Sequence, residues 1–467
     1  MAAEGPKPRK WSSRLLVPRL ARWVDARTGS ASFVRTALAK VFPDHWSFML
    51  GELALYCFVV LVLTGTYLTF FFDASTIEVV YQGSYGPLQG VEMTEAYRSA
   101  LDISFDVRAG LVMRQIHHWS ALLFVASLVV HVMRVFFTGA FRRPREINWL
   151  VGVTLLILAI FNGLAGYSLL DDQLSGTGLR IVYSVTISLP LIGTWVTSLL
   201  FGGEFPGPDI ISRLYVIHIL IIPAVIVGLL VVHLTLVVKH KHTQFAGPGR
   251  REDNVVGERM WPTYLFKAVG LFFVTVAVLS ALGGLAQINP IWLYGPFNPS
   301  EVSSASQPDW YMGWLDGALR VMPGWEIRAF GFEIPNPFFP GVLLPGITFG
   351  LLFAWPFLEA RVTKDYAVHH LCDRPRDRPV RTALGVATLT FYTVLLLAGG
   401  ADVLSITFGV SVNVVLWMFR VLVFVLPVVT AWIAYHLCQE LRKEPEPAVG
   451  PETEPAAGRA AAEPALD

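Results

Sequence analysis

Residues Leu111–Phe137 read LVMRQIHHWSALLFVASLVVHVMRVFF, and Leu214–Val238 read LYVIHILIIPAVIVGLLVVHLTLVV. Each stretch is long and apolar enough to cross a bilayer, which takes about 20 such residues. Each carries two histidines, His117 and His131 in the first and His218 and His233 in the second. An imidazole within hydrocarbon is costly to place, so each is a functional candidate by default. The spacings, fourteen and fifteen residues, are close to four whole helical turns, so each helix presents its two rings on one face, about 21 Å apart. Two such helices side by side form two facing imidazole pairs, one above the other. An iron porphyrin with two axial histidines needs one imidazole on each side of its plane. With both positions filled, the iron passes electrons and binds no oxygen. The competing reading is that histidines hydrogen-bond between helices as structural glue. That accounts for one histidine, not for four at matching spacing. His118 has no partner fourteen residues on and stands outside the set. Zinc or iron clusters would need carboxylates or cysteines close by, which this pattern lacks.

The rest of the chain fits a polytopic membrane protein. Of 467 residues, 54% are hydrophobic and only 15% charged, against about 25% charged in soluble chains. The fold class expected is all-α, with eight spans near 48–72, 111–137, 149–170, 214–238, 265–286, 341–358, 382–398 and 412–437. The first four form a four-helix haem-binding bundle, and four further helices follow. The formal net charge of +1 gives no bulk attraction to nucleic acid. Cys57, Cys372 and Cys438 form no C-x-x-C, so disulfide scaffolds, cysteine-ligated clusters and covalent c-type haem are unsupported. The N-terminus does not read as a signal peptide. Residues 11–24, WSSRLLVPRLARWV, read as a basic amphipathic surface segment. The Pro-, Glu- and Ala-rich tail from Glu444 is expected to be disordered. The expected organisation is a cytoplasmic basic segment 1–45, a dihaem domain 46–262, a C-terminal membrane domain 263–440 and a tail 441–467.

Lysine and arginine distribution orients the spans. Alternate loops hold Arg142, Arg143 and Arg145, then Lys239, Lys241, Arg250, Arg251 and Arg259, then Arg361, Lys364, Arg374, Arg376, Arg378 and Arg381. These loops and both termini are placed in the cytoplasm; the opposite loops are poor in basic residues. Residues 181–201, IVYSVTISLPLIGTWVTSLLF, are apolar enough to cross, but crossing would reverse this alternation. They are expected as an outer-surface hairpin bent at Pro190 and Gly193. Both histidine helices then run from outside to inside. His117 and His218 make the outer pair, His131 and His233 the inner.

Gly51 and Gly65 in the first span, and Gly152 and Gly166 in the third, repeat the fourteen-residue period. A porphyrin between four helices fits only where neighbouring backbones lose their side chains, and glycine allows that approach. Ordinary small-residue helix packing is the alternative for either pair taken alone. Arg114 lies three residues before His117 and Arg134 three after His131. Each is a candidate partner for a haem propionate, whose carboxylate suits the guanidinium fork. The alternative is an arginine snorkelling to the interface.

Together these residues resemble the cytochrome b subunit of quinol:cytochrome c oxidoreductases, the cytochrome bc family. The resemblance covers roughly residues 40–440 and includes Gly166–Leu170 (GYSLL), Ser188–Gly193 (SLPLIG) and Pro308-Asp309-Trp310-Tyr311. Fifteen residues between His218 and His233, with Pro223, look photosynthetic; eight spans in one chain look mitochondrial. The mixture looks most like the high-GC Gram-positive form, which implies menaquinol as substrate and a bacterial plasma membrane. The resemblance also implies two b haems, a Rieske iron–sulfur subunit, a dihaem cytochrome c subunit, a homodimer and association with a cytochrome oxidase. The activity it implies is bifurcated: outer-site quinol gives one electron to the Rieske protein and one through both haems to an inner quinone, with proton translocation. A haem-bearing dehydrogenase anchor and a proton-relay transporter are the competing classes.

By the same resemblance, Asp309 is a candidate acceptor of the quinol proton and Tyr311 its relay or orienting group, in a loop placed outside. The family more often has glutamate there, one methylene longer. The alternative is that Asp309 caps the helix that follows, and Asp316 is a second proton-route candidate. Where the family commonly reads G-Y-x-L-P-W, Leu169–Gln173 read LLDDQ; Asp171 and Asp172 are expected in proton exit, partner docking or a solvated turn. At the inner site the family's usual polar residue and aspartate are replaced by Val238 and Ala268. Lys267 is the candidate substitute there, with Lys239 and His240, against the alternative of interfacial anchors.

Overall fold

The computed structural model describes residues 16–301, 307–329, 331–443 and 461–462. Residues 11–15 of the basic segment and nearly all of the tail from Glu444 lie outside them. Among the described residues eight helices are long and apolar enough to span a bilayer. They are α1 (Trp46–Thr69), α2 (Gly110–Phe137), α3 (Glu146–Leu170), α4 (Ile210–His240), α5 (Met260–Leu285), α6 (Phe339–Thr363), α7 (Pro379–Gly399) and α8 (Val412–Lys443). Each expected span is present. Among the described residues the strands are two to four residues long and pair in loops, such as Glu78–Val80 against Glu92–Thr94.

The expected surface hairpin is a pair of helices, Gln173–Ile187 and Gly193–Phe201. Leu191 at the turn has φ 67°, and it, Trp195 and Leu199 are strongly exposed. Apolar side chains at that level suit a surface helix pair lying at the membrane boundary. Leu16–Thr28 is helical and exposes Leu20 and Trp23 beside Arg22 and Arg27.

Helices α1 to α4 enclose an apolar layer between the two histidine levels. Cys57 and Phe58 of α1, Phe124 and Val125 of α2, Leu155 and Ala159 of α3, and Ile226 of α4 are buried together there. Their positions fall midway between the glycines and histidines of their own helices, so periodicity alone makes them a filler layer. A second core joins α7 and α8 to the short helix Trp310–Val321 through Ala318, Leu395, Ala398 and Phe419. Gly317 lets that helix cross α7 closely: a Cβ there would lie 1.8 Å from the Leu395 carbonyl. This crossing carries the Asp309 segment toward the four-helix bundle.

The inner loops are tied by charge. Arg381 is buried and pairs with Glu359 at 2.7 Å and Asp373 at 2.6 Å, and Arg142 and Arg378 also reach Asp373. Arg145 donates to the carbonyls of His369, His240 and Lys241. Several arginines counted for orientation thus also lock the first half of the chain to the second.

Candidate functional site

The four histidines meet in two pairs. His117 and His218 face each other with ring centroids 6.1 Å apart, and His131 and His233 with centroids 6.5 Å apart. His218 sits in a π-helical turn, Ile217–Ile221, just before Pro223. Proline has no N–H and its ring crowds the carbonyl one turn back, so the helix widens there. The extra residue in the turn absorbs the fifteenth position and keeps both α4 rings on one face. His218 Nδ1–H donates to the Asn162 carbonyl at 2.9 Å, and His117 Nδ1 lies 3.0 Å from the Thr64 hydroxyl. Each outer ring thereby commits Nδ1 and leaves Nε2 for the space between, the arrangement that orients a metal-ligating histidine. In the inner pair both Nδ1 atoms are buried without a hydrogen-bond partner among the described residues.

Each glycine faces one imidazole. A Cβ on Gly166 would lie 2.4 Å from His218 Cε1, on Gly65 3.1 Å from His117, on Gly51 3.3 Å from His131 and on Gly152 3.6 Å from His233. The fourteen-residue period in α1 and α3 therefore mirrors the rings themselves. The immediate clearance is for the imidazole, a sharper role than the expected room for a porphyrin plane.

Arg114 is buried, and one nitrogen donates to the Asn289 carbonyl at 3.2 Å. Its Nε and second terminal nitrogen are buried with no hydrogen-bond partner among the described residues. Arg134 lies 4.2 Å from the Phe48 ring centroid and donates to Cys372 Sγ at 3.7 Å, and among the described residues its Nε has no partner. Leaving a buried guanidinium unpaired costs several kcal/mol. Anionic propionates at these two levels would satisfy both. The residues present therefore fit two haems, for which the two histidine pairs would be the ligands and Arg114 and Arg134 the charge partners.

A cavity of about 430 Å³ joins the outer pair to the Asp309 segment, bordered by His117, His218, His118, Arg114, Asp309 and Tyr311. Asp309 stands at the N-cap of its helix, but its side chain makes no capping hydrogen bond there. Its two carboxylate oxygens accept from His118 Nε2–H at 2.8 Å and from the Tyr311 hydroxyl at 2.9 Å. Burial, and then the charge of Asp309, hold the Tyr311 phenol well above its ordinary range. The contact of His118 is with a residue 191 positions away and is invisible to helical periodicity. Its adjacency to a candidate ligand was the one available signal.

Other candidates lie elsewhere. Asp316 pairs with Arg320 at 2.8 Å, on the α7 side of its helix. The solvated turn expected at Asp171 and Asp172 is not found. Asp172 is fully buried and caps Gln173–Ile187, accepting from Leu174 and Ser175 N–H at 2.8 Å. Asp171 accepts from the Thr94 hydroxyl at 2.8 Å. A helix N-terminus needs an acceptor, and supplying one drew the carboxylate inward. Burial pushes each up to about 6. Lys267 is paired with Asp44 at 2.8 Å and Glu258 at 3.0 Å.

Eight spans among the described residues around two stacked imidazole pairs, with Asp309 and Tyr311 bordering the cavity at one of them, define a polytopic membrane protein of the cytochrome b type. The family model described as Cytochrome b(N-terminal)/b6/petB matches residues 122–296. A cytochrome bc1 complex cytochrome b subunit from Streptomyces coelicolor is 53% identical over 425 residues, covering 91% of this chain and 78% of that one. The corresponding Mycobacterium tuberculosis subunit is 53% identical over 429 residues, covering 92% and 78%. A solved chain of a hyperthermophilic respiratory Complex III shares the fold at a TM-score of 0.65 and 21% identity, over 89% of this chain and 100% of that one. The chain belongs to the family of cytochrome b subunits of cytochrome bc1 complexes. It is thus a subunit of a quinol–cytochrome c reductase, which sets aside the dehydrogenase-anchor and transporter readings.

Proposed function

We propose that this subunit oxidises menaquinol at the outer face and returns half of the electrons to a quinone at the inner face. One electron of each quinol goes to a Rieske partner; the other crosses the membrane. Bound b haems would supply that crossing by one-electron transfer. His117 and His218 would hold the outer one and His131 and His233 the inner, with the four facing glycines giving the imidazoles room. Arg114 and Arg134 would neutralise propionates.

Asp309 accepts a proton from the quinol hydroxyl, by the general-base logic of a carboxylate in a largely apolar cleft. Tyr311 and His118 fix its two oxygens, which offsets the missing methylene relative to glutamate. Protons released outside and taken up inside charge the membrane, at about 2.3 kcal/mol per charge per 100 mV. Lys267, close to the inner boundary, stands at the quinone-reducing end. The dihaem domain is assigned to 46–262 and the quinol-loop domain to 263–440. Partners are a Rieske subunit, a dihaem cytochrome c and a second copy of this chain, within an oxidase supercomplex. The setting is a bacterial plasma membrane with both termini cytoplasmic.

The observation that carries this reading is the pair of facing imidazoles at each of two levels. The test is a reduced-minus-oxidised spectrum of the purified complex with His131→Leu and His218→Leu variants. Loss of one b-haem signal in each variant is expected. Retention of both haems in either would overturn the ligand assignment.

A further inference from the structure

We propose that Glu52 is a proton donor to the quinone reduced at the inner face, a role that rests on the inner-site reading above. A carboxyl group within a span is expensive and is a functional candidate by default. Glu52 lies in α1 directly after Gly51, whose Cα packs against the inner ring His131. One residue on is about 1.5 Å along the axis and a little over a quarter-turn round. The carboxyl group therefore sits at the level of the inner pair and is turned toward α5.

There its oxygens accept hydrogen bonds from the Tyr264 hydroxyl of α5 and, at 3.3 Å, from the Tyr56 hydroxyl of its own helix. These two phenols face it, with Asp44 beyond Tyr264. No basic side chain forms an ion pair with it among the described residues. Helix-to-helix glue would need only a neutral acceptor here, such as glutamine. A carboxyl group without a compensating cation suits a group that passes protons on.

A route to water is also present. Tyr264 and Lys267 are three residues apart, neighbours on one helix face. Lys267 pairs with Asp44, and their side chains are 40% and 57% exposed. Asp44, Lys267, Tyr264 and Glu52 thus form a row from the inner boundary to the level of His131. Position 268 is alanine and brings no carboxylate; the row places one on α1 instead, across the α1–α5 contact. Glu52 itself keeps partial exposure while Tyr264 is buried.

Reduction of a quinone to a quinol consumes two electrons and two protons. The electrons come from two successive oxidations at the outer site. The Glu52 O–H bond breaks as one quinone oxygen gains its hydrogen, and the carboxylate is reprotonated along the row. The second proton is taken directly from the inner aqueous phase.

The experiment uses the intact complex with the outer site disabled by Asp309→Asn. A soluble menaquinol analogue is added and inner-haem reduction is followed by absorbance across a pH series. Adding Glu52→Gln should slow the reaction at least tenfold and flatten its pH dependence, with Glu52→Asp in between and haem content unchanged. An unaltered rate and pH profile in Glu52→Gln overturns the proposal. Should that variant fail to assemble, Tyr264→Phe keeps the carboxyl group and breaks the row; at least threefold slowing supports the role, and no slowing overturns it. If the Asp309→Asn parent itself shows no inner-haem reduction by quinol, the inner-site reading fails, and this proposal with it.

Discussion

His118 donates to Asp309 across 2.8 Å, and His118 is the chain neighbour of His117. The group assigned to accept the quinol proton is thereby fastened, through one side chain, to the backbone that carries an outer imidazole. Asp309, the proposed proton acceptor, and His117, a proposed haem ligand, are thus tied together through adjacent residues of α2.

If that tether positions Asp309, its loss should act on the chemical step. Asp309→Asn should lower quinol:cytochrome c turnover by about 10²-fold or more, the usual weight of a general base. His118→Leu should lower kcat about tenfold with little change in KM, and the double variant should fall no further than Asp309→Asn alone, since both remove one unit. Steady-state kinetics on complexes with an unchanged haem spectrum decide it. Additive losses in the double variant would mean the two residues act separately.

The four glycines give a graded prediction. A methyl group at Gly166 would meet His218 at 2.4 Å, below any real contact, whereas at Gly152 it would meet His233 at an ordinary 3.6 Å. Gly166→Ala should therefore lose the outer haem, Gly65→Ala and Gly51→Ala should retain theirs partially, and Gly152→Ala should be nearly silent. Haem-to-protein ratios of the purified variants test the order. Equal loss in all four would point to a role in helix packing rather than ring clearance.

Much of this was legible in the sequence because period and cost both speak there. A helix repeats every 3.6 residues, so four histidines and four glycines at fourteen- and fifteen-residue spacing specify which faces meet. The hairpin bent at Pro190 was legible because charge alternation forbade a ninth crossing. What escaped was pairing between distant segments: His118 with Asp309, Glu52 with Tyr264, and Asp171 with Thr94. Each is a polar contact set by how two elements pack, and no spacing within either element announces it. The burial of Asp172 was hidden for a related reason, since a capping residue looks solvent-facing until the helix it starts is covered.

Asp171 and Asp172 predict a pH effect on stability. Burial pushes both carboxyl groups up to about 6 from an ordinary value near 4. The folded state then binds more protons than the unfolded one between these limits, so stability falls as pH rises from about 4 to about 6. Two units at one fully buried group correspond to about 3 kcal/mol. Asp172→Asn keeps a capping side chain and removes the ionisation. Its melting temperature should exceed that of the parent at pH 7.5 and approach it at pH 4.5, as followed by thermal unfolding of the complex in detergent. A gap of the same size at both pH values would assign the effect to capping alone.

Arg134 offers a test of the inner level by electrostatics. Its guanidinium lies over Phe48 with Cys372 beside it, so it brings a positive charge close to His131. A cation near a redox centre favours the electron-rich form, and removing it should make reduction harder. Arg134→Gln should thus lower the midpoint potential of the inner haem by about 60 mV, one decade in a one-electron equilibrium, and leave the outer one in place. Arg134→Lys, which keeps charge without the bidentate fork, should shift less but bind the haem less tightly. Redox titration of the two absorbance components separates these outcomes. A shift confined to the outer component would mean that Arg134 serves the other level, and the assignment of inside and outside along α2 would have to be reversed.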